Sequence, residues 1–179
     1  MSIVVSSVTV SPITPIKSSV LHIGSQGPVV RHLQRNLNAR LESLGVISLM
    51  SVLVDGSFGQ ETLGAVKYLQ CVGGMPVNGR VDEASWQFIE QGALGLPVLT
   101  LNSESTYVTA VQTTVADAGL SLQIDGFYGE QTKAAVEAYQ QKMGLMVSGR
   151  VGFETWQRIV RSRLTDLPCA ALLPNPYQP

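Results

Sequence analysis

Two arginines and two glutamines recur at one fixed spacing in this chain and could bind a carboxylate or an amide. Arg80 and Arg150 lie 70 residues apart, and Gln70 and Gln140 are separated by the same distance. A guanidinium presents a planar fork of donors that matches a carboxylate, and a carboxamide both donates and accepts hydrogen bonds. Together with Tyr139, these are the predicted ligand-binding residues. A simpler interpretation of the arginines is a solvated turn charge or a brace to a helix end.

The conspicuous carboxylates are Asp55 and Asp125, and each is followed directly by glycine. Asp-Gly pairs form tight turns because glycine accepts a positive φ and the aspartate bonds to nearby backbone. A glycosidase needs two carboxylates that flank one cleft, whereas these two belong to separate repeats. No nucleophile elbow marks a Ser-His-Asp arrangement. The sequence therefore predicts a structural role for both aspartates and predicts that the chain is not an enzyme.

Histidine and cysteine each occur only twice, as His22, His32, Cys71 and Cys169. A zinc site needs three or four ligands at suitable spacing, which these four do not provide. We expect no metal and no other cofactor, and ordinary surface or helix positions for both histidines. Spacing leaves a disulfide open, but two cysteines without a pattern do not indicate a disulfide framework. A free, partly buried Cys71 is the default interpretation.

The recurring spacing comes from an internal repeat. Residues 54–89 and 124–159 align without a gap at an offset of 70, and 15 of the 36 columns are identical. Similarity at a fixed offset is the signature of a duplicated structural unit. Each copy predicts a turn at Asp-Gly, a central helix, a second tight turn and a short last helix.

A further helix is predicted before each copy, over about residues 28–44 and 107–118, because apolar residues recur there at helical spacing. Each unit is therefore three helices joined by glycine-rich turns, and a unit this small buries a limited core. We expect Trp86 and Trp156 to be buried at the two centres. The alternative is an exposed platform on which sugars stack.

One set of motifs is shared by both copies and covers most of the chain. In copy one it consists of Leu33-Gln34, Leu37, Val54-Asp55-Gly56, Phe58-Gly59, Thr62, Ala65-Val66, Leu69-Gln70, Val77, Gly79, Val81 and Trp86. In copy two it consists of Val111-Gln112, Gly119, Ile124-Asp125-Gly126, Tyr128-Gly129, Thr132, Ala135-Val136, Tyr139-Gln140, Gly144-Leu145, Val147, Gly149, Val151-Gly152 and Thr155-Trp156. Taken together, these residues resemble the peptidoglycan-binding domain-like three-helix family.

The resemblance implies an all-α fold of two tandem three-helix peptidoglycan-binding-like units, with an extended N-terminal arm and a Pro-rich C-terminal tail. The expected division is an arm over 1–20, unit one over 21–92, a linker over 93–106, unit two over 107–164 and a tail over 165–179. The linker is short and partly apolar, so we expect the units to pack together. Four prolines among the fifteen tail residues predict an extended or mobile segment.

Copy one has about eight extra residues around Ser43 to Leu53. The apolar run Ile47 to Val54 predicts a buried strand or loop within this insertion. Asp82 suits the N-cap of the last helix, whereas copy two has the weaker Gly152 there. Copy two fits the family pattern better, so we expect it to provide most of the affinity.

Composition excludes several functions. The net charge is −1 and 14% of residues are charged, which excludes the basic footprint of a nucleic-acid binder and electrostatic attachment to an anionic membrane. No stretch is long enough to span a bilayer.

Residues 1–20 lack the positive start and unbroken apolar run of a signal peptide. We interpret them as a loosely docked arm or as a strand that adds to a partner's sheet. We therefore expect contact with the cell wall or envelope without a recognisable signal peptide, the chain being cytoplasmic until it is assembled or released.

The resemblance implies non-catalytic binding of bacterial cell-wall peptidoglycan, through its stem peptide or its glycan. Stem peptides offer carboxylates and amides, which suit the predicted arginines and glutamines. The alternative is a structural or adaptor subunit of a phage-tail-like or envelope-spanning assembly that uses the fold for protein contacts. It is favoured by the missing signal peptide, by the missing enzyme domain, and by terminal segments, 1–20 and 165–179, that suit protein partners.

Overall fold

The computed structural model describes residues 20–173, and within that range the chain is helical and forms no strand. The helices are α1 Pro28–Ser43, α2 Gln60–Val72, α3 Glu83–Gln91, α4 Thr106–Asp117, α5 Glu130–Lys142, α6 Phe153–Arg163 and α7 Leu167–Ala170, with a 3₁₀ turn over Gly92–Gly95. The predicted all-α fold is confirmed. The predicted arm lies outside the described residues, apart from Val20. Between residues 20 and 173, every helix is too short or too polar to cross a membrane.

The order α1, α2, α3 in the first unit is repeated by α4, α5, α6 in the second. Isolated antiparallel bridges join each unit's two turns to the segment that precedes its first helix. The paired residues are Leu21 with Val81 and Gln26 with Ser57 in unit one, and Leu99 with Val151 and Glu104 with Phe127 in unit two. The structural repeat therefore begins earlier in each unit than the aligned columns do.

Local sequence explains how the last helix of each unit begins. The Asp82 carboxylate accepts a hydrogen bond from Ser85 N at 2.9 Å, which confirms the predicted N-cap of α3. Gly152 stands at the same place before α6 and provides no side-chain cap. The start of α6 therefore depends more heavily on tertiary packing, as isolated short helices are marginal in water.

The copy-one insertion folds as a loop that extends the core of unit one. Asn38 in α1 pairs with Val52 in both directions, donating to its carbonyl and accepting from its amide at 2.8 Å each. Val46, Met50 and Val52 are buried along this loop. The asparagine thus supplies the hydrogen bonds that a neighbouring strand would otherwise provide.

Both tryptophans lie in the core, as predicted. Trp86 is 5% exposed and stacks on His32 with ring centroids 5.8 Å apart. Trp156 is 0% exposed, and its indole Nε1 donates to the carbonyl of Pro97 at 2.7 Å. Because Pro97 belongs to the segment between the units, Trp156 fixes that segment against unit two.

The two units pack directly against each other. Arg163 at the end of α6 donates two hydrogen bonds to the carbonyl of Cys71, at 2.9 and 3.2 Å. The Tyr68 hydroxyl donates to the carbonyl of Leu164 at 3.3 Å. At Gly74, which has a φ of +72°, an added Cβ would lie 2.7 Å from the Cβ of Ala110. Only glycine allows this turn and α4 to approach so closely.

A disulfide joins Cys71 at the end of α2 to Cys169 in α7, with the Cα atoms 5.5 Å apart. The expectation of a free Cys71 is wrong, because folding brings together two cysteines whose positions in the sequence show no pattern. Cys169 is buried and Leu167–Ala170 is helical. This part of the Pro-rich tail is therefore docked rather than extended, and residues 174–179 lie outside the described residues.

Candidate functional site

Each unit holds its Asp-Gly turn with one buried glutamine from its first helix. The Gln34 carboxamide accepts from Gly56 N at 2.8 Å and donates to the Asp55 carboxylate at 2.9 Å. Gln112 does the same in unit two, donating to Asp125 at 2.9 Å. The structure therefore confirms the turn role of both aspartates.

The electrostatics of these turns fit that role. The hydrogen bond from Gln34, followed by the one from Ser57 N, lowers the pKa of Asp55 below its ordinary value. Gln112 lowers the pKa of Asp125 in the same way. A general acid in glycoside hydrolysis needs a raised pKa, so these two carboxylates do not suit that task.

The second turn of each unit is held by Gln70 and Gln140, two of the predicted site residues. Gln70 accepts from Gly79 N at 2.9 Å and donates to the carbonyl of Arg80 at 2.8 Å. Gln140 donates to the carbonyl of Arg150 at 2.8 Å. The two side chains are 2% and 1% exposed. Their amide groups are already engaged within the protein, and a contact with ligand stays a prediction.

Tyr139, another predicted site residue, is fully buried in α5. Burial raises the pKa of its hydroxyl. Within the described part of the chain, this hydroxyl is the one buried side-chain polar atom without a hydrogen bond. The nearby Ser162 hydroxyl instead donates to the carbonyl of Arg158 at 3.1 Å. Because the side chain is fully buried, solvent does not reach it, and its site role also stays a prediction.

Arg80 and Arg150 are the predicted site residues that solvent reaches. Each is exposed, while its own carbonyl is held by Gln70 or Gln140. The guanidinium groups therefore extend from turns whose backbone is fixed. Their ligand role is untested, but their exposure is what a charged ligand would require.

We expect Gln140→Ala to lower the free energy of unfolding by about 2–3 kcal/mol, because it leaves buried partners in the second turn without hydrogen bonds. The matched control is Gln141→Ala, the exposed neighbouring glutamine of α5, with an expected change within about 0.5 kcal/mol. Urea denaturation measures both. Unchanged stability of Gln140→Ala together with lost binding to cell walls would show that the residue contacts ligand instead.

A cleft of about 840 Å³ opens between the two units, and the sequence did not predict it. One wall includes Arg40 of α1, Phe88 of α3 and Leu94 of the 3₁₀ turn. The other wall is formed by α6 and by the segment that contains Met146. Neither unit alone contains this cleft.

The cleft is positively charged although the whole chain has a net charge of −1. Arg40, Arg158 and Arg161 line it, against Glu154 as the single carboxylate. Arg40 is fixed in place because it donates to the carbonyls of Ile89 at 3.1 Å and Glu90 at 3.0 Å. Burial lowers the pKa of Arg40, but a guanidinium stays charged at any physiological pH.

Apolar side chains complete the cleft lining. Leu94, Met146 and Phe153 all line it and are exposed. A pocket that combines exposed apolar groups with a few charged donors is typical of a ligand site. Alignment of the two copies does not reveal the arginines of the cleft, because the residues that correspond to Arg158 and Arg161 in copy one are Phe88 and Gln91.

The histidines do not form a metal site. The His22 ring lies 2.8 Å from the carbonyl of Ile23, and His32 stacks on Trp86. Across residues 20–173, no group of three or more His, Cys, Asp or Glu side chains is placed to hold a metal ion.

Comparison with known proteins gives one family match in two segments. The family model described as "Putative peptidoglycan binding domain" matches residues 26–89 and 104–159. These segments contain α1 to α3 and α4 to α6 respectively. Both structural units therefore match the same family.

Two similar proteins have names that refer to enzymes. A "Probable N-acetylmuramoyl-L-alanine amidase" of Bacillus licheniformis is 32% identical over 172 residues, which cover 84% of this chain and 47% of that protein. The chain thus spans about half the length of this curated relative. The crystal structure of the Burkholderia AP3 phage endolysin is 19% identical, with a TM-score of 0.37, over 85% of this chain and 64% of that one.

The name of the curated relative corrects one prediction from the sequence. We predicted that the chain is not an enzyme, and that prediction is contradicted by a relative named as an N-acetylmuramoyl-L-alanine amidase. The prediction was based on the lack of recognisable catalytic motifs in the sequence. That reasoning is unreliable here, because the motifs that make this family recognisable belong to its binding module and say nothing about catalysis.

Proposed function

Because this chain belongs to the peptidoglycan-binding domain family, we propose that it binds bacterial peptidoglycan in the service of cell-wall hydrolysis. The observation that carries the proposal is the match of the family model to both units. The link to hydrolysis is supported by the name of the curated relative, an N-acetylmuramoyl-L-alanine amidase. In this proposal the two units hold the polymer on which the hydrolytic chemistry acts.

The duplication supports binding to a polymer. Units one and two, over 21–92 and 107–164 in our proposed division, are joined by the short linker 93–106. A polymer with repeated epitopes binds two linked units more tightly than one, because the second contact forms at a high effective concentration. Arg80 and Arg150 offer the same exposed cation in each unit, and stem peptides carry carboxylates that such cations bind.

The disulfide supports a place of action in contact with the wall. Disulfides persist in oxidising surroundings and are rare in the reducing cytosol. The Cys71–Cys169 bond therefore favours a working environment at the cell wall.

Sedimentation with purified sacculi tests the proposal. We expect wild-type protein to pellet with sacculi and Arg150→Ala to bind about tenfold to a hundredfold more weakly, the effect of losing one charge-assisted hydrogen bond. Arg80→Ala should have a smaller effect, since copy two fits the family pattern better. Arg35→Ala is the control, because Arg35 is an exposed arginine of α1 that the proposal does not use.

Wild-type protein that stays in the supernatant would overturn peptidoglycan binding. The adaptor role predicted from the sequence would then be the hypothesis to test. Equal pelleting of wild type and Arg150→Ala would retain wall binding and remove Arg150 from the site.

A further inference from the structure

We infer that the cleft between the units is the binding site for a carboxylate-bearing stem peptide of the wall. The inference depends on the proposed function and adds a second contact with the stem peptide, separate from Arg80 and Arg150, which do not line the cleft. It assigns the ligand to neither single unit, because the lining comes from α1, α3 and the 3₁₀ turn on one side and from α6 on the other.

The size of the cleft suits a short peptide. Its volume of about 840 Å³ lies within the ~300–1,000 Å³ that is usual for ligand pockets. The cleft is open to solvent, so a peptide attached to a large polymer could enter without being released from it. Met146, Leu94 and Phe153 provide apolar contacts for small side chains such as alanine methyl groups.

The charges of the cleft select an anionic ligand. Arg158 and Arg161 are three residues apart on α6, which places their side chains next to each other on one helix face. Among residues 20–173, the Arg158 guanidinium makes one hydrogen bond, a long one of 3.5 Å to the carbonyl of Met143. Two neighbouring guanidinium groups can therefore bind one carboxylate, or two carboxylates along a peptide.

A peptide fits the cleft better than a glycan strand does. Sugars are commonly bound by stacking on exposed aromatic rings, but Trp86 and Trp156 are both buried. Phe153 is the exposed aromatic residue of the cleft. The arginines would find no carboxylate on the glycan where peptides are attached, because the carboxyl group of each muramic acid ring is then part of the amide bond to its peptide.

The packing of the units fixes the two walls of the cleft before any ligand binds. Arg163, at the end of the same α6, is bonded to the Cys71 carbonyl of unit one, and the disulfide lies beside it. Arg40 is held by two carbonyls of α3. A preformed site loses less conformational entropy on binding.

The test uses the whole chain and two double variants that remove the same charge. Arg158→Ala with Arg161→Ala changes the cleft, whereas Arg31→Ala with Arg35→Ala removes two exposed arginines of α1 outside it. The probes are soluble disaccharide-peptides released from sacculi by a muramidase, and peptide-free glycan strands in which the carboxyl groups left on the muramic acid rings have been converted to amides. Isothermal titration calorimetry measures affinity, and circular dichroism confirms that each variant is folded.

We expect the cleft variant to bind the disaccharide-peptides at least about tenfold more weakly than wild type, while the α1 variant binds within about twofold of wild type. Arg158→Lys with Arg161→Lys should also lose affinity, because lysine keeps the charge but not the planar fork. Peptide-free strands should bind more weakly than the disaccharide-peptides.

Two failures are distinguishable. If wild type does not bind intact sacculi, the proposed function fails and the inference fails with it. If wild type binds sacculi but the two double variants bind disaccharide-peptides equally well, the inference alone is overturned. The same conclusion follows if peptide-free strands bind as tightly as the disaccharide-peptides.

Discussion

Trp156→Ala is expected to lower the free energy of unfolding by about 3–5 kcal/mol, the usual effect of removing a large buried aromatic side chain. The indole is fully buried, contacts Tyr107 edge-on with ring centroids 6.1 Å apart, and donates to the Pro97 carbonyl. Truncation would leave a cavity in unit two and an unpaired carbonyl in the linker. Urea denaturation followed by far-ultraviolet circular dichroism measures the effect.

Two further variants test whether the loss of stability comes from the buried position of the Trp156 ring. Trp156→Phe keeps an aromatic ring and loses only part of the volume and the hydrogen bond, so its effect should be smaller. Trp86→Ala tests the equivalent position in unit one, where the ring is almost as deeply buried. An unchanged midpoint for Trp156→Ala would mean that the ring lies at the surface, and the sugar platform would become the better interpretation.

The second large effect is expected from breaking the disulfide. Cys71→Ala with Cys169→Ala should lower the free energy of unfolding by about 2–5 kcal/mol, because the bond closes a long loop in the unfolded chain. The sequence separation of the two cysteines is 98. Urea denaturation of wild type with and without a reductant should show a comparable difference.

The double alanine variant is also the control for the reductant, since its stability should not change when reductant is added. Equal stability of oxidised and reduced wild type would contradict the prediction. It would mean that non-covalent contacts, such as those of Arg163 and Tyr68, are enough to hold the end of α6 against unit one.

The elements of the fold were predictable because their signals are local. Asp-Gly turns, apolar residues at helical spacing and the Asp82 cap all act within a few residues. Because the sequence is repeated, each of these signals occurs twice, which made the three-helix unit recognisable. The isolated bridges at Leu21 and Leu99 were missed because they join short segments with no repeated motif.

The site was less predictable because its features depend on tertiary packing. Gln70 and Gln140 recur for the same reason in both units: each one holds a glycine turn. Recurrence alone does not distinguish a structural residue from one that contacts ligand. Conversely, Arg158 and Arg161 lie in a cleft that exists only between the units, so a comparison of one unit with the other could not identify them.

The disulfide also determines how the protein responds when it is pulled from both ends. Force that enters through unit one reaches Cys71 and continues through the sulfur atoms to Cys169, so the chain between them is under no tension. That closed loop contains α3 of unit one and all of α4, α5 and α6. At a sequence separation of 98 it would otherwise extend by about 330 Å. A protein that attaches to a stretched polymer network could thus lose the fold of unit one under tension while unit two remains intact.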